Sequence, residues 1–144
     1  MNHNMHPRYL ELGMASALLG ERKDCAVISL AVACDVAYSV AHDAMAAAGR
    51  TPGTPVSGNM VKRAIGVLGF TFEDVTDDLK AKAWRKGSGI TFATVGRCFP
   101  EGVYLARTQN HVVCLYNGQV IDWAAGRRFR VRVLYRLTKL GENE

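Results

Sequence analysis

The chain has 144 residues, of which 49% are hydrophobic, and a formal net charge of +5. This length suits one domain with a hydrophobic core and leaves little room for a second. We therefore expect a single domain over residues 1–144, with a flexible segment at 1–8. No stretch approaches the roughly 18 apolar residues of a membrane span, and the N-terminus lacks the layout of a signal peptide. We expect a cytoplasmic protein with no membrane partner.

The cysteines form no C-x-x-C pair, and the histidines do not fall at ligand spacings relative to them. The closest histidine pair, His3 and His6, lies near the N-terminus and is weak support for a metal site. Without an export signal, free thiols are favoured over disulfides. We expect no metal and no cofactor, and we expect Cys34 and Cys114 to be core residues.

Three helices are predicted in the first half of the chain. Asp24 is a good N-cap residue, and the apolar sequence CAVISLAVAC that follows predicts a helix from Cys25 to about Cys34. Ser39 is the cap candidate for a second helix that ends near Gly49. A loop over 50–59 then precedes a third helix over 60–69.

The second half of the chain is rich in β-branched and aromatic residues. A short strand is predicted over 70–75, residues 77–90 are expected to form a loop with at most a helical turn, and 91–99 a short helix capped by Thr91. Four strands separated by turn signals then follow, within 102–108, 111–116, 119–124 and 128–137. The predicted fold class is therefore α+β, with N-terminal helices packed on a C-terminal antiparallel sheet.

One hairpin has a register that follows from its turn. Asn117-Gly118 is typical of a two-residue type I′ turn, because both residues tolerate positive φ. If Tyr116 lies opposite Gln119, then His111 and Asp122 are diagonal neighbours on one face of the ribbon. A carboxylate that holds one imidazole nitrogen leaves the other available as a base.

Cys25 is the candidate nucleophile for that base. A thiol in the first turn of a helix is close to unsatisfied backbone N–H groups and the positive end of the dipole, which stabilise thiolate. The adjacent Asp24 opposes this effect unless its carboxylate caps the helix. A cysteine at a helix start, a histidine at a strand start and a carboxylate on the next strand suit a Cys/His/Asp hydrolase. A buried structural cysteine is the alternative.

These motifs, DCAVISLAVA at 24–33, HVV at 111–113 and IDW at 121–123, resemble the papain-like cysteine peptidases. Within that fold the chain is similar to small bacterial and phage members that resemble bacteriocin-leader peptidases. The resemblance implies that Cys25 is the nucleophile, His111 the general base and then acid, and Asp122 the orienting residue. It implies hydrolysis of a peptide, isopeptide or related amide bond without a cofactor.

The chain departs from this family at one position. Relatives carry a glutamine about six residues before the nucleophile, where it donates a hydrogen bond to the oxyanion, but this chain has Leu19. Loss of one such donor typically costs about 10²–10³ in turnover. Gln109 or Asn110 could supply a side-chain amide instead. Otherwise the enzyme is weak or inactive.

All of the excess positive charge lies in the segment 126–140. Its alternation predicts a terminal edge strand with a basic face, which would discourage pairing with other chains. The alternatives are an acidic protein partner or nucleic acid. A catalytically silent papain-like module that binds such a partner is thus the second hypothesis, and a nucleic-acid-binding protein is the third. The residues of this basic surface are Arg128, Arg130, Arg132 and Arg136.

Overall fold

The computed structural model describes residues 6–84 and 89–141, except for the side chains at 83 and 84. The described residues confirm the α+β class, with an antiparallel five-stranded sheet. The helices are α1 (Pro7–Leu18), α2 (Cys25–Cys34), α3 (Tyr38–Ala47), α4 (Gly58–Val67), α5 (Thr76–Trp84) and α6 (Val95–Cys98). The strands are β1 (Phe70–Asp74), β2 (Val103–Arg107), β3 (Val112–Tyr116), β4 (Gln119–Ile121) and β5 (Val133–Lys139).

Helix α1 begins inside the segment that was expected to be flexible. The His6 imidazole caps it by accepting a hydrogen bond from the Arg8 N–H at 3.0 Å, and proline occupies the first helical position, where no N–H is needed. Residues 7 and 8 of the segment that was expected to be flexible are therefore helical, while 1–5 lie outside the described residues. Leu12 and Ser16 form the buried side of α1.

Helix α2 is the central helix of the domain and packs against β3. It begins at Cys25 and ends at Cys34, which confirms both predicted bounds. Every residue from Ala26 to Cys34 is buried, so the helix is apolar on all sides. Asp35 terminates it in the left-handed conformation, at φ 54°.

Helix α3 corrects one predicted cap. It begins at Tyr38 with Ala37 in the capping position, so Ser39 is a helical residue and not the N-cap. Helix α4 begins two residues before the predicted start, because the Ser57 hydroxyl accepts the Met60 N–H at 3.3 Å.

Helices α5 and α6 also differ from the sequence predictions. A helix of 9 residues occupies most of the predicted loop 77–90, of which 85–88 lie outside the described residues. Its first turn carries Asp77 and Asp78, which favour a helix N-terminus. In α6, Thr94 holds the N-cap position that was predicted for Thr91.

The sheet has the order β1-β5-β2-β3-β4, with every pair antiparallel. The predicted β3–β4 register is confirmed: Tyr116 pairs with Gln119, and Leu115 with Val120. Asn117 and Gly118 have φ of 46° and 86°, as a type I′ turn requires.

Both faces of the sheet are covered. Alternate strand residues enter two hydrophobic clusters: Leu105, Cys114 and Leu137 pack with helices α1–α4, whereas Ala106, Val113 and Leu134 pack with residues of α5 and α6. The helices therefore lie on both sides of the sheet, because α5 and α6 supply the second layer. No single described helix is long and apolar enough to cross a membrane, although α2 and α3, which meet at a bend of 116°, would together be long and apolar enough.

The prediction of a basic terminal edge strand is wrong. Strand β5 lies between β1 and β2, and its Leu134 and Leu137 are buried on opposite faces. Among the four arginines of the basic surface, only Arg136 belongs to β5. The other three lie in the segment that leads into β5, and all four are exposed.

A buried ion cluster fixes the chain just before α2. Glu21, with a side chain 3% exposed, accepts two hydrogen bonds from the Arg50 guanidinium and contacts His42 Nε2 at 2.6 Å. His42 is itself only 19% exposed. The hydrogen bonds from Arg50 oppose the effect of burial and hold the pKa of Glu21 well below its usual range.

Candidate active site

The structure brings Cys25, His111 and Asp122 together at one end of the sheet. His111 immediately precedes β3 and Asp122 immediately follows β4, so the hairpin turn sets their separation. His111 Nε2 lies 2.7 Å from Asp122 Oδ2, and their side chains are 14% and 3% exposed. The same carboxylate oxygen accepts the Ala124 N–H at 2.9 Å, which fixes its orientation.

The His111 imidazole and the Val112 N–H also interact with the Cys25 thiol, and both lower its pKa. Because Asp122 holds Nε2, Nδ1 is the nitrogen left for the sulfur. Helix α2 presents the thiol at its first position, so the sulfur lies where a strand start and a helix start meet.

These contacts shift two pKa values toward an ion pair. Burial raises the pKa of the Cys25 thiol, but the hydrogen bonds from His111 and Val112 outweigh it and lower that pKa. Burial lowers the pKa of His111, but the hydrogen bonds with Asp122 and Cys25 raise it to about 9. The pair can therefore exist as thiolate and imidazolium near neutral pH.

The other described cysteines are chemically different. All four thiols are free. Burial raises the pKa of Cys34 to about 12 and that of Cys114 further still. Cys98, the last residue of α6, is half-buried.

Asp24 does not cap α2 with its side chain. Its buried carboxylate instead accepts the hydroxyls of Ser16 and Tyr38, each at 2.6 Å. The alternative that this carboxylate caps the helix is therefore wrong, because two hydroxyl groups from α1 and α3 donate hydrogen bonds to it instead. They tie both helices to the residue that precedes the thiol.

Sequence reasoning missed Tyr9 because it did not predict α1. The Tyr9 hydroxyl lies close to Asp122, Asp24 and Cys25 and near the backbone N–H of Trp123. Burial, followed by the charges of Asp122, Asp24 and Cys25, raises the pKa of Tyr9. The hydroxyl therefore remains protonated and can donate a hydrogen bond.

An aromatic wall lines the side of the site next to His111. The rings of His111 and Trp123 have centroids 5.1 Å apart, and the Phe129 ring meets Trp123 edge-on at 6.2 Å. Trp123 and Phe129 are 39% and 41% exposed. Such large exposed rings beside a buried pair of titratable groups are typical of a binding cleft.

A cavity of about 420 Å³ opens against this wall. Both oxyanion candidates, Gln109 and Asn110, are exposed and line it together with His111, whereas Leu19 is 60% exposed at the end of α1. Arg130 and Arg132 line the same cavity, which the sequence did not predict. The full lining is Thr108, Gln109, Asn110, His111, Trp123, Phe129, Arg130 and Arg132.

The described residues contain no group of three or more His, Cys, Asp or Glu side chains that could hold a metal ion. His3 lies outside those residues. Comparisons of the chain with family models, with curated proteins and with solved structures each find no match.

Proposed function

We propose that the protein is a papain-like cysteine hydrolase that cleaves a peptide, isopeptide or related amide bond. The observation that carries the proposal is the position of His111, whose Nε2 lies 2.7 Å from the Asp122 carboxylate and whose ring interacts with the Cys25 thiol and lowers its pKa. A helix-start thiol, an imidazole and an orienting acid are the groups that acyl transfer through a thioester needs.

In the first half-reaction the Cys25 thiolate attacks the carbonyl carbon of the amide. The tetrahedral intermediate collapses as the C–N bond breaks, and the imidazolium of His111 gives its proton to the departing amine. Neutral His111 then takes a proton from water, whose oxygen attacks the thioester. The C–S bond breaks, a carboxylic acid leaves, and the thiolate is restored. Asp122 holds the imidazole in position throughout and stabilises its positive charge.

Three groups are available to bind the oxyanion. The backbone N–H of Cys25 is one, as at the helix start of any such nucleophile. The neutral Tyr9 hydroxyl is a second, since it lies close to Cys25 and occupies the part of the site that α1 provides. Gln109 and Asn110 remain candidates from the other side, where they line the cavity with His111.

The direct test is labelling with a cysteine-directed amide or acyl probe, followed by mass spectrometry. Cys25 is expected to be modified first, and Cys25→Ala to abolish labelling of that peptide. His111→Ala should slow it at least about tenfold, because the pKa of Cys25 then rises. Equal, slow modification of all four cysteines would contradict the proposal. We place the reaction in the cytoplasm, where thiols stay reduced.

A catalytically silent papain-like module is the second candidate. It is favoured by Leu19, which puts no amide at the position expected for the oxyanion donor, and by the exposed arginines. Its partner would be an acidic protein or a nucleic acid. Rapid labelling of Cys25 without turnover of any amide would favour this module over the hydrolase.

A further inference from the structure

The basic surface and the candidate active site share one cavity. Arg130 and Arg132 line the same space of about 420 Å³ as His111 and Trp123. Arg128 and Arg136 do not line it. Part of the positive charge that the sequence analysis assigned to an edge strand therefore lies directly beside the proposed nucleophile and base.

Both arginines are held in place by the backbone. Arg130 forms a bridge with Thr91, and the Arg132 N–H donates to the Arg107 carbonyl at 2.8 Å. The Arg130 side chain lies against Gly89, where a Cβ atom would be 2.9 Å from its Nε. Gly89 has φ of 82°, so a glycine there both permits this backbone conformation and leaves room for the guanidinium.

Neither guanidinium is neutralised within the described part of the chain. No carboxylate in residues 6–84 or 89–141 lies within ion-pairing distance of Arg130 or Arg132. Arg132 also borders a second cavity that Asp74 and Asp77 line, but Asp74 is already bound by the hydroxyl and N–H of Thr76. A ligand carboxylate would therefore meet two cations that lack a close partner.

The aromatic wall favours a peptide over a nucleic acid. The Trp123 ring is already contacted by His111 and Phe129, and the Arg127 guanidinium lies over it at 5.9 Å from the centroid. The rings of Trp123 and Phe129 are inclined at 76°. Successive bases stack on open, parallel faces, which these rings do not provide, whereas one apolar side chain can pack into the corner between them.

We propose that the cleft selects acidic substrates: peptides or amides that carry carboxylates next to an apolar side chain, bound by Arg130, Arg132 and the Trp123–Phe129 corner. This inference rests on the proposed function for the cleavage step. The selective binding of acidic ligands can be measured without turnover.

The experiment uses the full chain with Cys25→Ser, so that binding is separated from hydrolysis. The probes are acetyl-Gly-Glu-Phe-Glu-Gly-amide and its uncharged isostere acetyl-Gly-Gln-Phe-Gln-Gly-amide. The Trp123 indole NMR signal, identified by comparison with Trp84→Phe, reports occupancy. The acidic peptide is expected to bind at least about tenfold more tightly than the isostere. A higher salt concentration should weaken the binding of the acidic peptide only.

Arg130→Ala with Arg132→Ala should remove that difference. The matched control is Arg63→Ala with Lys139→Ala, which deletes two exposed positive charges from α4 and from the far end of β5 and should leave the difference intact. Equal affinity for both peptides, absence of binding, equal loss in both double variants, or tighter binding of a thymidine hexanucleotide would each overturn the proposal. Selective binding by a protein that hydrolyses no amide would instead contradict only the proposed function.

Discussion

Gly96 of α6 lies so close to Gly118 of the β3–β4 turn that a Cβ at position 96 would be 2.0 Å from the Gly118 carbonyl oxygen. The turn that sets the separation of His111 and Asp122 is thus in backbone contact with α6. Gly96→Ala should destabilise the protein by at least about 1–3 kcal/mol, the usual range for overpacking, because backbone on one side must move. Urea unfolding measures this. The control is Gly66→Ala, where a Cβ meets nothing within 4 Å and a small gain is expected. Equal effects at both sites would contradict the close approach.

The pH dependence of Cys25 alkylation tests the ion pair. Because the pKa of Cys25 is lowered, its reaction with iodoacetamide should fall less from pH 8 to pH 6 than that of an ordinary thiol, which loses nearly 100-fold. Amide turnover should also fall above about pH 9, where His111 loses its proton. The reference is N-acetylcysteine under the same conditions, and a matching pH profile would rule out the pair.

The same pair predicts a flat stability profile in one pH window. The raised pKa of His111 alone would make stability decline from its ordinary value of 6.5 up to about 9, and the lowered pKa of Cys25 alone would make stability rise up to its ordinary value of 9.0. Wherever Cys25 is thiolate and His111 is imidazolium in the folded chain between pH 6.5 and about 9, the folded and unfolded pairs each hold one proton, so these contributions cancel. Calorimetry of the parent chain and His111→Ala should show little pH-dependent difference there.

Asp122→Asn should keep the geometry and remove the charge. The pKa of His111 then falls from about 9 toward 6.5. The pH at which the Cys25–His111 ion pair is lost through deprotonation of His111 therefore becomes lower. An NMR titration of the His111 ring measures the shift. Asp35→Asn is the control, because this exposed residue has the left-handed conformation that asparagine also tolerates. An unchanged His111 titration in Asp122→Asn would show that Asp122 does not raise the pKa of His111.

Tyr9→Phe separates thiolate formation from oxyanion stabilisation. The ring and its packing remain, so Cys25 should alkylate at nearly the parent rate. Amide turnover should fall about 10²-fold if the hydroxyl is an oxyanion donor. Tyr116→Phe, on the exposed turn side of β3, is the control. Unchanged turnover in Tyr9→Phe would leave Gln109 and Asn110 as the remaining side-chain donors.

Glu21→Gln should unfold the region before α2 more easily. It leaves the Arg50 guanidinium, 2% exposed, without its charge partner, a change that costs about 3–5 kcal/mol in typical buried pairs. Since Arg50 lowers the pKa of Glu21, the ionised Glu21 carboxylate stabilises the folded chain above pH 4.5, and this stabilisation is lost as the pH falls below that value. Chemical denaturation at pH 7 and pH 4 measures both effects. Glu11→Gln should change stability little, because the Glu11 side chain that pairs with Arg8 is 71% exposed.

What the sequence could predict was local. The Asn117-Gly118 turn set the register of its own hairpin, and with it the meeting of His111 and Asp122, because only a few intervening residues decide that geometry. Helix α2 and its first residue followed from Asp24 and an apolar run. Tyr9 could not be placed, since α1 has weak patterning and its cap is a histidine.

The position of β5 illustrates the opposite case. Its arginines suggested an exposed edge, but the pairing with β1 and β2 depends on residues far apart in sequence, such as Phe70 and Lys139. Helix α5 was also not predicted, because its polar sequence resembles a loop. Its Leu79 is buried only because the helix packs against the sheet. Long-range packing overrode local preference in both elements.

The central location of β5 has a consequence for biosynthesis. This strand is synthesised after the other four described strands, yet it joins β1 to β2, so the β2–β3–β4 meander cannot be connected to β1 until Lys139 has been made. The hairpin with His111 and Asp122 can form earlier, whereas the complete sheet forms only after β5 has been made. Nascent chains are therefore expected to expose unpaired strand edges until that point, which makes them clients for chaperones.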